Sequence, residues 1–216
     1  MTEGDQYTLN EIKLAGNFDV PEEELRPLLT LESGEIFSRS QVVASSERIS
    51  NRLGNEGYAF ARVNPVPDVD EENKTVDLTI FIDPGVKVYV RRIDIVGNTY
   101  SNDEVFRREL RQMEGGWYSE SGVNLTRRRI QRLPFVETVE VETVKIPGEE
   151  DLVDLLITVK ERLAGSFSIG AGFSDSEGIV LTTSVSQENF LGSGKSVEFQ
   201  INTCLLYTSD AADELT

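Results

Sequence analysis

Apolar positions along the chain follow two different periods, and the switch between them divides it. From Val88 to Val96, apolar residues at Val88, Val90, Ile93, Ile95 and Val96 stop at Gly97-Asn98, a pair that tolerates positive φ. This predicts a strand and a turn. Ser101-Asn-Asp-Glu104 has the Ser-x-x-Glu form of a capping box, and Phe106, Leu110 and Met113 continue at helical spacing up to Gly115-Gly116. The same plan stands 81 positions earlier. Ile12, Gly16-Asn17 and Leu29 match Ile93, Gly97-Asn98 and Leu110, while Gly34, Ser38 and Ile49 match Gly115, Ser119 and Ile130. The chain therefore contains an internal repeat.

The first copy, residues 5–86, reads β-α-α-β-β. Tyr7–Leu14 is a predicted strand, and Asp19-Val-Pro-Glu22 opens a helix with Leu25, Leu28 and Leu29 as its apolar stripe. Ser38-Arg-Ser-Gln41 is a second capping candidate, before a helix that turns Val42, Ile49 and Leu53 inward until Gly54-Asn-Glu-Gly57 breaks it. Strands are expected over Tyr58–Val66 and Thr75–Ile82, with Asp68–Asn73 as the polar loop between them. The second copy, residues 87–162, repeats the order: a helix carrying Val123, Ile130 and Leu133, then strands over Phe135–Val144 and Leu152–Val159. Val153-Asp-Leu155 matches Val76-Asp-Leu78 at an offset of 77. Each copy is expected to pack two helices on one face of a three-stranded sheet, and the linker Asp83–Lys87 is too short for independent tumbling.

After Arg162 helix signals vanish and alternation takes over, defining a third region over residues 163–203. Phe167, Ile169, Ala171 and Phe173 alternate with Ser166, Ser168, Gly170 and Gly172. A turn at Asp175–Gly178 leads to Leu181, Thr183 and Val185, alternating with Thr182, Ser184 and Ser186. Asn189–Gly194 makes the next connection, and Val197, Phe199 and Ile201 then alternate with Glu198, Gln200 and Asn202. Strands of about ten residues, apolar on one side and small or polar on the other, fit a transmembrane β-barrel. An ordinary soluble antiparallel sheet is the alternative. Residues 204–216 do not continue the alternation and read as a non-matching tail, truncated or foreign to the fold.

Composition narrows the chemistry. A net charge of −17 makes nucleic acid an unlikely partner, since phosphate binding needs a concentrated Lys/Arg face. There is no histidine and one cysteine, Cys204, which excludes zinc sites, Cys/His nucleophile pairs, Ser-His-Asp triads and an internal disulfide. Met1-Thr-Glu-Gly-Asp is no signal peptide, and no apolar run is long enough for a membrane-spanning helix, so the chain is either cytosolic or lacks its front end.

Gly192-Ser-Gly-Lys-Ser196 looks like a phosphate-binding loop, but Asn189 stands where a glycine is needed and a strand follows. Asp68-Val-Asp70 starts like a calcium loop, yet Asn73 and Thr79 hold its obligatory glycine and glutamate positions. The run Arg127-Arg-Arg-Ile-Gln-Arg132 is a solvated helix face or a surface for an acidic partner. Glu114, beside Trp117, is a turn residue or a partner contact. Nothing converges on a catalytic, metal or cofactor site, and no enzyme activity is expected.

Two β-α-α-β-β repeats leading into amphipathic strands resemble the POTRA-plus-barrel family of outer-membrane assembly proteins. The resemblance is carried by Tyr89-Val-Arg-Arg-Ile, Gly97-Asn98, Arg107–Trp117, Val159–Arg162, Gly165–Gly172 and Gln187–Gly194, over about residues 5–203. It implies an α+β fold of two tandem POTRA domains, similar to the family's fourth and fifth, followed by the first antiparallel strands of a truncated transmembrane β-barrel. Periplasmic domains that receive unfolded outer-membrane proteins by β-augmentation, and a barrel that inserts them into the outer membrane, are the implied activity. The lipoproteins of the assembly complex and, through a complete barrel, membrane lipid are the implied partners. Glu114 matches the acidic residue that meets a BamD-like lipoprotein, and Gly165, Gly170 and Gly172 fall on the strand that forms a lateral gate, which glycine would leave weakly held. With about three strands where the family has a whole barrel, the chain reads as a fragment. Two-partner secretion or autotransporter-assembly relatives, and a soluble POTRA scaffold, are the alternatives.

Overall fold

A computed structural model describes residues 6–16, 19–174 and 178–205. The elements, in order, are strand β1 (Thr8–Gly16), helices α1 (Glu22–Leu25) and α2 (Arg39–Asn55), strands β2 (Arg62–Asp70), β3 (Thr75–Asp83) and β4 (Tyr89–Val96), helices α3 (Asp103–Arg107) and α4 (Glu120–Gln131), and strands β5 (Val136–Ile146), β6 (Glu149–Glu161), β7 (Gly165–Ser174), β8 (Gly178–Gln187) and β9 (Val197–Leu205). They form three three-stranded sheets, ordered β1-β3-β2, β4-β6-β5 and β7-β8-β9. Two compact units result. One runs to Val96 and takes in Glu109–Arg129 and Glu140–Thr158; the other holds Gly97–Arg108, Ile130–Val139 and the chain from Val159 onward.

The last strand of each repeat lies in the middle of its sheet. β3 pairs parallel with β1 and antiparallel with β2, and β6 pairs parallel with β4. A central strand needs one wholly apolar face, and Val76, Leu78, Ile80 and Ile82 supply it in β3 as the alternation predicts. Leu9, Leu25, Val42, Ile49 and Leu53 close the first core over that face. Burying a side chain of this size contributes about 1.5–3 kcal/mol, so the stripe and the residues packed on it share the stabilisation of this core. In the second repeat Val153, Leu155, Ile157 and Val159 are buried in the same alternation.

The repeat extends to details that no pattern of apolar positions shows. Each first strand carries one extra residue at the same place, between Leu9 and Ile12 in β1 and between Val90 and Arg92 in β4. The displaced residue reaches the aspartate of the Val-Asp-Leu run: Asn10 donates to Asp77 at 2.8 Å, and Arg91 clamps Asp154 with two bonds of 2.9 and 2.6 Å. That clamp holds the Asp154 carboxyl below the usual carboxylate range. Gly16 and Gly97 end the two strands at positive φ, where an added Cβ would lie 2.0 Å from the Ile82 carbonyl and 2.1 Å from that of Val159. Only glycine fits there.

Several expectations fail, mostly where tertiary partners displace local ones. The first helix of each repeat is short. α1 has four residues before a 3₁₀ turn, and α3 ends at Arg107, leaving Leu110 outside it and Met113 69% exposed. The backbone N–H groups that would have continued these helices are taken by hydroxyls of the longer ones: Thr30 donates to Ser45 Oγ at 2.9 Å and Arg111 to Thr126 Oγ1 at 2.8 Å. Neither capping box forms. Ser38 is the N-cap of α2, but its hydroxyl bonds to that of Ser40; Asn102, not Ser101, precedes α3. Tyr58–Ala61 is a turn, and β2 instead continues through Asp68–Asp70, in register with Asp77–Thr75. Leu133 lies past the end of α4. In the third region β9 runs to Leu205, two residues beyond the expected boundary; the turn at 175–177 and the tail from 206, like Asn17, fall outside the described residues.

Candidate interaction surfaces

A sheet meets other chains at its edges, so the first question is which edges are open. β1 and β4 are covered by their own chain at their leading ends. Leu9 N–H donates to Glu35, Gly34 to Leu9 and Phe37 to Tyr7; 81 residues on, Val90 donates to Gly116, Gly115 to Val90 and Tyr118 to Val88, all at 2.6–3.0 Å. The β4 edge gains one more cover from Glu114, whose carboxylate accepts the Ile93 N–H at 2.8 Å. Glu114 is thus a surface residue with a structural bond. Around it, Trp117 is half exposed with its ring centroid 4.2 Å from that of Tyr89, and the Lys87 ammonium lies 5.9 Å from the Trp117 ring and 5.2 Å from the Tyr58 ring. Glu114, the half-exposed Trp117 and the exposed Met113 share the loop between α3 and α4. Burial, then the bond to Asp19, pushes the Tyr58 hydroxyl up to about 12. In the arginine run, Arg129 pairs with Glu109 at 2.8 Å, while Arg127 and Arg128 face solvent.

The third sheet separates its two faces cleanly. Its register aligns Phe167 with Val185 and Phe199, and Ile169 with Thr183 and Ile201. On the opposite face Ser166, Ser186 and Glu198 align, as do Ser168, Ser184 and Gln200, with the Ser168 and Ser184 hydroxyls 2.6 Å apart. The apolar rows stand open: Phe167 is 65% exposed, Ile169 70%, Phe199 71% and Ile201 67%. The predicted glycines all lie in β7. A Cβ at Gly165 would meet the Gln187 side chain at 2.8 Å, whereas one at Gly170 would make an ordinary 3.9 Å contact with Thr182 and one at Gly172 would enter open space. Packing demands glycine at neither of the last two.

The connection between β8 and β9 is anchored, a feature that sequence reasoning missed. Asn189 takes a left-handed conformation, is buried, and donates to Ser101 Oγ at 2.6 Å while its carbonyl oxygen Oδ1 accepts Gly194 N–H at 2.7 Å. Asn102 N–H donates to the Gly192 carbonyl at 2.9 Å, and a Cβ on Gly192 would come within 2.3 Å of the Tyr100 carbonyl. Beneath them the Glu161 carboxylate accepts the backbone N–H groups of Tyr100 (2.8 Å) and Ser101 (3.0 Å). Burial opposes ionisation of Glu161, but these bonds, with those from the Ser101 and Thr99 hydroxyls, hold its carboxyl below the usual range. Asn189, Ser101 and Glu161 form one polar chain across 88 positions of sequence. The only signals available were the Gly-Ser-Gly spacing and the charged Val-Lys-Glu-Arg end of β6.

The fold recurs in known proteins. The outer membrane protein assembly factor BamA of Neisseria meningitidis serogroup B is 38% identical over 195 residues, covering 90% of this chain and 24% of that protein. BamA of Buchnera aphidicola is 26% identical over 201 residues, 93% of this chain and 33% of the relative. The chain thus spans a quarter to a third of the length of these relatives. Among solved structures, BamA from Haemophilus ducreyi lacking POTRA domains 1–3 superposes with a TM-score of 0.80 at 34% identity, over 92% of this chain and 37% of that one. Haemophilus influenzae BamA POTRA3–5 gives 0.70 at 41% identity, over 74% and 63%. The POTRA family model, described as surface antigen variable number repeat, matches residues 7–85 and 88–162, the two repeats found in the sequence and in the fold, and the chain belongs to that family.

Proposed function

We propose that this chain is the membrane-proximal part of an outer-membrane protein assembly factor. Its two POTRA repeats receive unfolded outer-membrane proteins in the periplasm, and its third sheet supplies the leading strands of the barrel that folds and inserts them. The observation that carries this reading is the sheet β7-β8-β9: two POTRA repeats run into strands whose apolar rows lie open on one face and whose serines, glutamine and glutamate share the other. Open apolar rows of this extent need lipid or another apolar surface, and a barrel with lipid outside and water inside has this division. A soluble sheet would not leave Phe167 and Phe199 in water.

Uptake by backbone pairing suits clients of many sequences, because N–H and C=O groups are the same in all of them. The role is one of binding and release, without bond-making chemistry. Gly165, Gly170 and Gly172 would keep β7 weakly held, as a gate strand must be. The Glu114 patch, with Trp117 and Met113, is the surface assigned to a lipoprotein partner of the assembly complex. A chimera tests the whole reading: this chain replaces the matching segment of the Neisseria meningitidis relative, and growth is followed as the native copy is depleted. Continued assembly of outer-membrane proteins is expected. A chimera that reaches the outer membrane at normal abundance and assembles none would overturn the proposal.

A further inference from the structure

We infer that Leu163 and Leu191, two leucines outside the strands, enter the periplasmic leaflet of the membrane and fix its border beside the Tyr100–Asn102 turn of the second repeat. This rests on the proposed barrel and places the lower limit of its lipid contact. Leu163, in the connector before β7, is 96% exposed, and Leu191, in the connection between β8 and β9, is 74% exposed. Both lie at the same end of the sheet. Glu188 N–H donates to the Ala164 carbonyl at 2.8 Å, which continues the β7-β8 ladder one step past the pair Gly165 and Gln187.

By the two-residue period of a strand, Leu163 extends the apolar row of Phe167, Ile169 and Phe173 beyond Gly165. The length of that row locates the border. Phe167 to Phe173 runs about 20 Å along the strand, which at a barrel tilt of about 40° is about 15 Å of height. Starting the row at Leu163 lengthens it to about 33 Å and about 25 Å of height, the height of the apolar band around a transmembrane barrel. At the other end of the row the sequence turns acidic, with Asp175-Ser-Glu177.

The backbone assigns Leu191 independently. Leu191 is left-handed, with φ 52° and ψ 32°, a conformation that strains a leucine and suits a glycine. Asn189 and Gly192 on either side are fixed against Ser101 and Tyr100, so the anchored loop holds the leucine there and leaves its side chain outside every core. Phe190 and Tyr100, both about half exposed, flank it, and aromatic side chains form the girdles at the borders of the apolar band. Arg162, whose Nε donates to the Pro134 carbonyl at 2.8 Å, precedes Leu163, and the exposed Lys195 follows Leu191 in the same connection. Cations at this level suit headgroup phosphates. Continuity with the lipid-facing row selects phospholipid as the occupant.

The test uses the chimera described above, with Cys204→Ser and its other cysteines removed, in vesicles of phosphatidylethanolamine and phosphatidylglycerol. Nitroxides are attached one at a time at Leu163→Cys, Leu191→Cys, Ile169→Cys and Ser168→Cys, and their relaxation by oxygen, which concentrates in the bilayer, is compared with relaxation by a water-soluble nickel chelate. Oxygen should dominate at 163, 191 and 169, and the chelate at 168. Dominance of the chelate at 163 or 191, with oxygen still dominant at 169, would overturn the border assignment and leave the barrel standing. Dominance of the chelate at 169 as well would remove the barrel reading beneath it. Leu191→Gly relieves the strain, so thermal unfolding in detergent should stay unchanged or rise while the label at 163 shifts toward the chelate. A lower unfolding temperature with an unshifted label would make Leu191 a structural residue and overturn its part in the border.

Discussion

Single residues carry two unlike burdens here. Glu114 holds the Ile93 N–H and is also the proposed partner contact, so the two roles must be separated by the substitution chosen. Glu114→Gln keeps a carbonyl acceptor for Ile93, and Glu114→Lys removes it and reverses the charge. Co-purification with the lipoprotein partner should fall strongly for Glu114→Lys and less for Glu114→Gln, while thermal unfolding shows a loss of about 1 kcal/mol for the lysine variant only. Glu161 is different, because its carboxylate is bound in the folded state by the Thr99–Ser101 segment. Its folded pKa lies below the ordinary 4.5, so its contribution is present at neutral pH and is lost as pH falls below about 4.5 and through the folded value. Protection factors at Tyr100, Ser101 and Asn102, taken relative to intrinsic exchange, should fall over that acid window, and Glu161→Gln, which keeps only one of the two acceptor oxygens, should show lower protection at pH 7 and no such acid-dependent loss. Neither structural bond is legible in sequence. Glu114 reads there as a turn residue or partner contact beside Trp117, without its bond to Ile93, and Glu161 reads as one acid among many because its partners lie 60 residues away.

At the scale of elements, the long ones could be read and the short ones could not. α2 and the alternation of β3 bury the residues the pattern assigns, because an extended run of one period commits every residue to one face. The short helices end early because Ser45 and Thr126, buried on the longer helices, take backbone donors that helix continuation would need. β2 shows how little suffices to change an edge. Two prolines deny it donors without breaking the sheet. Pro65→Val with Pro67→Val should restore them, and sedimentation velocity of the full chain in detergent should then reveal dimers formed edge to edge. A variant that stays monomeric would show that side chains, not missing donors, keep this edge apart.

For the molecule as a whole, the decisive surface is the apolar face of β7-β8-β9. If it meets lipid, Ile169→Arg in the chimera described above should cost about 2–4 kcal/mol near the bilayer midplane and lower the folded fraction in the outer membrane, with Ser168→Arg on the opposite face nearly silent. Heat-modifiable mobility on gels reads both variants. Sequence alone determined the repeat, the β-α-α-β-β order and the two faces of the strands, because periodicity and offset are properties of a line of residues. Only the tertiary structure decided which edges are covered, that Asn10 and Arg91 leave their strands to hold Asp77 and Asp154, and that Asn189, Ser101 and Glu161 join. Those are pairings between groups far apart in the chain, and their partners are selected by distance in space, to which local pattern is blind.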